Sequence, residues 1–315
     1  MKFCSYFVLF YVEMSGKVWY TGFMNNMNEK SNRKNNRKNN RKKLQLNAKG
    51  RIFATMASMF LLSLLIQYMM TWFDTYDGLG EREVQTENPY DQSAFFYDEK
   101  GRLCYEDETW TSCIGVDVSS YQKEVDWQQV AADGVEFAMV RLGYRGYSSG
   151  MLNLDPYFEQ NVKGAKESGL QVGVYFFSQA LTTEEALDEA RFVLRKIRGK
   201  KLDGPIAFDM EYIEGVERIN SLTVEEKTAI ADAFCQFIEK NGYEAMIYGN
   251  PNWFSEDVDL SLLTHHEIWL AHYIDMTQWP FEYAMWQYTD SGSVAGITGG
   301  CDLNIWLKEK KYLAE

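Results

Sequence analysis

The sequence predicts an α/β protein: an irregular (β/α) barrel of eight strands and fewer than eight helices, preceded by one transmembrane helix. Three observations carry that expectation. From Ile114 onward short apolar runs alternate with amphipathic helical stretches. Eight such runs can be counted, and the later connections between them are too short for full helices. Near the N-terminus, 22 consecutive residues, Ile52 to Phe73, carry no charge.

Residues 1–51 hold 12 Lys and Arg against 2 Asp and Glu, whereas the rest of the chain holds 20 against 43. The overall charge of −13 therefore hides a basic head and an acidic body. An acidic body excludes nucleic acid as the partner, because phosphate binding needs a basic surface that releases counterions. The head is explained by a membrane. Asn25 to Lys43 is an RKNN-repeating polar run, read as a solvated tail. The apolar run that follows is long enough to cross a hydrocarbon core of about 30 Å, and is apolar on all faces, unlike a buried core helix. Lys and Arg before it and Asp74 and Asp77 after it orient the N-terminus toward the cytoplasm. No small-residue cleavage site follows Phe73, so the anchor is expected to be retained and the remainder to lie outside the cell membrane. Met1 to Phe23 is aromatic-rich, short for a span and interrupted by Glu13 and Lys17, which suggests translation starting at Met24 or Met27.

Residues 74–98 are polar and acidic with a Gly78-Leu79-Gly80 break, and read as a spacer. Residues 99–113 read as a strand, turn and strand leading into the barrel of residues 114–315. Cys104 and Cys113 stand nine apart across that turn, so an extracellular disulfide is expected between them. Cys235 and Cys301 read as small buried hydrophobes. No metal-ligand spacing joins the cysteines, and a three-histidine centre would need His265, His266 and His272 together, two of them adjacent. No metal is expected.

The barrel strands are read at Ile114 to Val118, Phe137 to Leu142, Gln171 to Phe177, Pro205 to Glu211, Ala245 to Tyr248, Ile268 to His272, Ala284 to Tyr288 and Gly300 to Asn304. Helices are read at Asp126 to Asp133, Pro156 to Ser168, Thr183 to Arg198 and Val224 to Asn241. Thr182 and Thr223 stand at cap positions ahead of acidic first turns, and Gly169 and Gly242 follow helix ends.

Doubly buried strands should be apolar, so four acids at or near strand ends demand an explanation: Asp117, Asp209, Glu211 and Asp302. On one strand, residues i and i+2 share a face, which aims Asp209 and Glu211 together into the barrel mouth. Two carboxyls a few Å apart cannot both ionise without cost, so one keeps its proton near neutral pH. Glycoside hydrolysis requires that combination of a protonated acid and a carboxylate. A Ca²⁺ site or a loop-capping pair remains the alternative for the doublet by itself.

The runs Gly115 to Gln122, Arg141 to Tyr144, Gly173 to Phe177, Phe208 to Glu211, Ile268 to Ala271, Trp286 to Tyr288 and Asp302 to Asn304 resemble glycoside hydrolase family 25, the lysozymes of the Chalaropsis and cellosyl type. The resemblance runs from about Ile114 to Trp306. It implies a cofactor-free N-acetylmuramidase that cuts the β-1,4 bond between N-acetylmuramic acid and N-acetylglucosamine in peptidoglycan; a monomer is expected. By position Glu211 matches the general acid. Asp209 matches the partner that attacks carbon 1 or assists the substrate's 2-acetamido group, and Asp117 and Asp302 match flanking acids that tune the pair. Tyr175, Phe177, Tyr248, Trp253, Trp269 and Trp286 are candidates for the floor of the saccharide groove, with Arg141 and Gln287 as polar residues on buried strands. Arg141 would pair with an active-site acid or with a loop carboxylate. Phe176 stands where many members carry His, and Cys301 where an aliphatic residue is common. A barrel that binds glycan without turnover, or a hydrolase of another polysaccharide, is the competing reading.

Overall fold

The computed structural model describes residues 86–213, 215 and 218–312, with the backbone of Phe10–Glu13 and Lys17–Tyr20 and the single position Ser63. The chain divides into two units, Met1–Leu79 and Gly80–Glu315. In the first, strands β1 (Phe10–Glu13) and β2 (Lys17–Tyr20) pair as an antiparallel hairpin. The expected membrane span at 52–73 lies outside the described residues apart from Ser63, as do the basic tail at 25–43 and residues 74–85. Among the described residues no helix is long and apolar enough to cross a membrane.

The second unit opens on a hairpin of β3 (Phe95–Tyr97) and β4 (Leu103–Tyr105). Eight strands then close a barrel: β5 (Trp110–Val118), β6 (Phe137–Arg145), β8 (Gln171–Phe177), β9 (Ile206–Asp209), β10 (Ala245–Gly249), β11 (Glu267–Ala271), β12 (Met285–Gly292) and β13 (Cys301–Glu309). A short strand β7 (Leu152–Leu154) pairs antiparallel with β6 at its far end. Each of the eight coincides with a strand read from the sequence. The barrel closes through the β5–β6 and β5–β13 pairings. Helices α1 (Trp127–Ala132), α2 (Phe158–Glu167), α3 (Thr183–Ile197) and α4 (Val224–Lys240) cover the first half, and short turns replace helices after β10. Thr182 and Thr223 cap α3 and α4 as the sequence indicates, the latter in a full capping box with Glu226.

A β/α repeat implies parallel strands throughout, but β13 runs antiparallel to both neighbours. The connection from β12 is too short for a crossover and permits only a return. This reversal matters for the site, because it brings the first residues of β13 to the rim where the other strands end.

Side-chain alternation divides the apolar residues into two layers. Inside the barrel, Phe137, Met139, Met246, Met285 and Trp306 fill the end opposite the strand termini. Gly115 and Gly173 give them room: a Cβ on Gly115 would lie 2.2 Å from the Phe137 ring, and one on Gly173 2.5 Å from Met139 Sδ. Outside, the alternate residues pack under the helices, as Phe208 does against Phe234 of α4 at 5.3 Å and Phe176 against Phe192 of α3 at 6.0 Å.

Two expectations are corrected here. Residues 86–98 are not spacer. Tyr90 and Phe95 are buried against Tyr283 and Trp286, and Tyr90 donates a 2.6 Å hydrogen bond to the Tyr283 carbonyl, so this segment is part of the domain. Its aromatic residues, set among acidic ones, gain more from burial than a solvated linker would. The Cys104–Cys113 disulfide is also absent, both thiols being free. One bridge, Glu106 to Thr111, joins the two arms, and beyond it Ser112 Oγ takes the Tyr105 N–H. Cys104 then pairs with Phe96 and Cys113 with Trp306, which draws the arms into different sheets.

Candidate active site

The rim formed by the strand ends opens into a cleft of about 800 Å³. Asp117, Asp209, Glu211 and Asp302 all line it. Asp302 stands opposite Asp117 in the β13–β5 ladder, near the start of an antiparallel strand rather than at the end of a parallel one. Strand β9 stops at Asp209, so strand alternation places that residue alone, and Glu211 reaches the cleft from the loop beyond. Met210 between them is fully buried.

Two hydrogen-bond relays converge on Asp117. Tyr248 and Tyr273 each donate to Gln287 Oε1, at 2.9 and 2.8 Å, and Gln287 Nε2 donates to Asp117 Oδ2 at 2.7 Å. Trp269 Nε1 donates to Asn304 Oδ1 at 2.8 Å, and Asn304 Nδ2 donates to the same Asp117 oxygen at 2.8 Å. Indole N–H is only a donor, which fixes the orientation of the Asn304 amide. The carboxylate accepts two amide donors from neighbouring strands, Gln287 and Asn304 being register partners. Burial raises its pKa to about 6 in spite of those donors, with the Glu211 charge acting in the same direction.

The other three acids are raised as well. Burial, the Glu211 charge and a hydrogen bond to Glu211 hold the Asp209 carboxyl well above the usual carboxylate range. Burial also raises Glu211, whereas its bond from Asp209 lowers it. The two carboxyls titrate together, and their burial and mutual charge favour a proton retained between them. Among the described residues, Asp209 Oδ1 is buried without a hydrogen-bond partner. Burial and the Asp117 charge push Asp302 up to about 8.

Tyr175, Phe177, Tyr248, Trp269, Arg141 and Gln287 line the same cleft. Arg141 pairs with Asp155, a buried loop carboxylate, at 2.8 Å, and donates to Ser120 Oγ at 2.8 Å. Its guanidinium still lowers the Asp209 pKa across the cleft. Two aromatic candidates fall elsewhere. Trp253 lines an adjoining hollow that shares Glu211, Tyr248 and Tyr273 with the cleft. Trp286 belongs to the outer layer: it packs on Phe95 and Tyr283 and donates to the His272 carbonyl at 2.8 Å. It neighbours the inward Gln287 on one strand, so alternation turns it away from the cleft.

Asn304 and Tyr273 are site residues not singled out by their sequence context. Asn304 carried a usable signal, since it lies two residues beyond Asp302 on one strand face. Tyr273 follows the end of β11 and has none. Tyr121, Tyr144 and Tyr147 also line the cleft, the first 82% exposed at its mouth.

Comparison with known proteins follows the same residues. The profile of glycosyl hydrolases family 25 matches residues 116–297. An autolytic lysozyme of Clostridium acetobutylicum is 27% identical over 191 residues, covering 60% of this chain and 54% of that one. The chain therefore spans about half the length of that relative. The modular autolysin LytC from Streptococcus pneumoniae, solved in complex with a synthetic peptidoglycan ligand, shares the fold at a TM-score of 0.57 and 22% identity over 71% of this chain and 52% of that one. A family 25 glycosyl hydrolase from Bacillus anthracis shares it at a TM-score of 0.52 and 23% identity, over 62% of this chain and 88% of the other.

Proposed function

Because the chain belongs to the glycosyl hydrolases family 25, whose profile spans more than half of it, we propose that it is a lysozyme-type N-acetylmuramidase acting on peptidoglycan. The observation that carries this reading is the Asp209 and Glu211 pair, the buried Asp209 and the more accessible Glu211 opening beside Asp117 into one aromatic-walled cleft. A glycosidase needs one proton available near neutral pH and one carboxylate facing the anomeric carbon. The shared proton satisfies the first requirement. Glu211 acts as general acid: positive charge growing on the sugar ring favours an anionic Asp209, which passes the proton to Glu211 and on to the leaving oxygen. Asp209 Oδ1, unpartnered among the described residues, either attacks carbon 1 or accepts the N–H of the substrate's 2-acetamido group as that group attacks. Asp117, held by two amide donors, supplies negative charge that helps to keep the proton within the pair.

Digestion of purified peptidoglycan followed by mass spectrometry of the released ends tests the reading. N-acetylmuramic acid at the reducing termini is expected, and reducing N-acetylglucosamine or no product overturns it. Glu211→Gln and Asp209→Asn should each lower the rate at least about a hundredfold with the fold intact. Location at the outer face of a cell membrane is part of the same proposal, supported by the uncharged run at 52–73 and its charged flanks. Protease treatment of intact protoplasts should degrade the barrel domain, whereas a shielded domain would refute the orientation.

A further inference from the structure

Away from the cleft, α4 and the turn leading into β11 bring together the side chains of Asp232, His265 and His266. The ligand atoms of these three residues all lie within 4.8 Å of one another. His265 Nε2 and His266 Nε2 each stand 3.0 Å from Asp232 Oδ1. His272 takes no part, its Nδ1 lying 2.9 Å from Thr277 Oγ1. The three-histidine arrangement weighed from the sequence therefore gives way to two histidines and a carboxylate, with the third ligand from a helix 33 residues earlier.

We propose that Asp232, His265 and His266 form a binding site for a divalent transition-metal ion, zinc by ligand type, which ties α4 to the head of β11. Imidazole nitrogens and one carboxylate oxygen suit zinc, whose bonds of about 2.0–2.2 Å set tetrahedral ligands about 3.3 Å apart. The two histidine-to-aspartate separations of 3.0 Å need little adjustment to meet that spacing, and no two of the ligand atoms lie more than 4.8 Å apart.

The surroundings supply the second argument. His266 is buried, and its other nitrogen, Nδ1, lies 2.7 Å from Glu239 Oε1, about two turns from Asp232 along the same face of α4. A carboxylate on the remote nitrogen fixes the tautomer that leaves Nε2 for a metal, the usual outer-shell arrangement of histidine ligands. A metal on Nε2 leaves the contact of Nδ1 with Glu239 in place. Gln236 Nε2 donates to both Asp232 oxygens, at 3.1 and 2.9 Å, and so orients the carboxylate. His265 is partly exposed and Asp232 less so, which provides a path for the ion and room for a water as fourth ligand.

The site lies at the start of β11, whereas the acids line the rim beyond its end. At about 3.3 Å per residue, the strand separates the two by on the order of 13 Å. The metal's contribution is therefore to stability.

Zinc titration of the chelator-treated full chain, followed by calorimetry and thermal unfolding, tests the assignment. One zinc per chain is expected, with Tm rising by about 5 °C at a hundredfold excess over Kd. Asp232→Asn, which preserves shape, and His265→Ala, at a partly exposed position, should each weaken binding at least tenfold. Glu239→Gln keeps all three ligands and should weaken it by about tenfold or more. Near-ultraviolet dichroism establishes that each variant is folded. No saturable uptake by the wild type, or equal uptake by the folded Asp232→Asn and His265→Ala variants, overturns the proposal.

Discussion

Asp117 has the most fully determined surroundings of the four cleft acids. Its Oδ2 accepts from both Gln287 and Asn304, and each of those amides is fixed in orientation by phenol or indole donors behind it. Hydrogen bonds to a charged form favour that form, so these donors partly offset the burial that raises Asp117 to about 6. Asn304→Leu removes one donor and should raise the Asp117 pKa further. The acid limb of kcat/KM on peptidoglycan then moves upward by about one pH unit, with the greatest loss near pH 6 and partial recovery by pH 8. Tyr273→Phe removes one of two donors to Gln287, leaves Tyr248 in place, and should barely move that limb. A pH–rate profile of the two variants separates these outcomes. An unmoved limb in Asn304→Leu would mean that Asp117 need not be ionised for turnover.

The strand is the element that gives neighbouring aromatic residues different work. Trp269 faces into the barrel on β11 and holds Asn304, whereas Trp286 faces outward on β12 and packs under the β3–β4 hairpin. Trp286→Ala should cost about 3–5 kcal/mol of stability through the cavity left behind, with KM unchanged. Trp269→Phe keeps most of the ring and loses the indole donor, so it should lower kcat/KM with a smaller effect on stability. Urea unfolding and steady-state kinetics on the same two proteins provide the comparison. The contrast also explains what was legible in the sequence. Strands buried on two faces leave apolar runs, and a carboxylate interrupts such a run visibly, which is why all eight strands and the four acids could be located. Which face an aromatic residue takes depends on the barrel's inside and outside, and that distinction emerges only once the strands are registered. Tyr273 lies in a loop, where no periodicity marks it. Residues 86–98 looked polar because one sequence window averages Tyr90 and Phe95 with their acidic neighbours.

On the scale of the whole molecule, the cleft gathers negative charge in a chain whose net charge is already −13. Burial raises the pKa of every acid of the cluster, and repulsion adds to it at Asp117, raised to about 6, at Asp209, and at Asp302, raised to about 8. A carboxyl whose folded pKa exceeds its unfolded value binds more protons folded than unfolded between those two values. Stability then falls as pH rises through that window. Here the window runs from the ordinary aspartate value, near 4, to about 8. Asp117, fully enclosed, contributes a loss on the order of 2–3 kcal/mol, complete once the pH exceeds about 6. Asp133 acts in the opposite sense. Although its own burial raises its pKa, hydrogen bonds from Lys100 and the Ala295 N–H, with the Arg102 charge, bring it below the usual range, and the stability it contributes is lost as pH falls below about 4. The two trends place the maximum of stability on the acid side of neutrality, near pH 4–5. Thermal unfolding of the full chain from pH 3.5 to 8.5 should therefore show Tm declining from that maximum toward pH 8. Asp117→Asn cannot ionise and should flatten the decline between pH 4 and 6, raising Tm most at neutral pH. An enzyme built on this cleft is thus expected to trade stability for a retained proton, and a flat wild-type profile would show that the acids are better solvated than their burial implies.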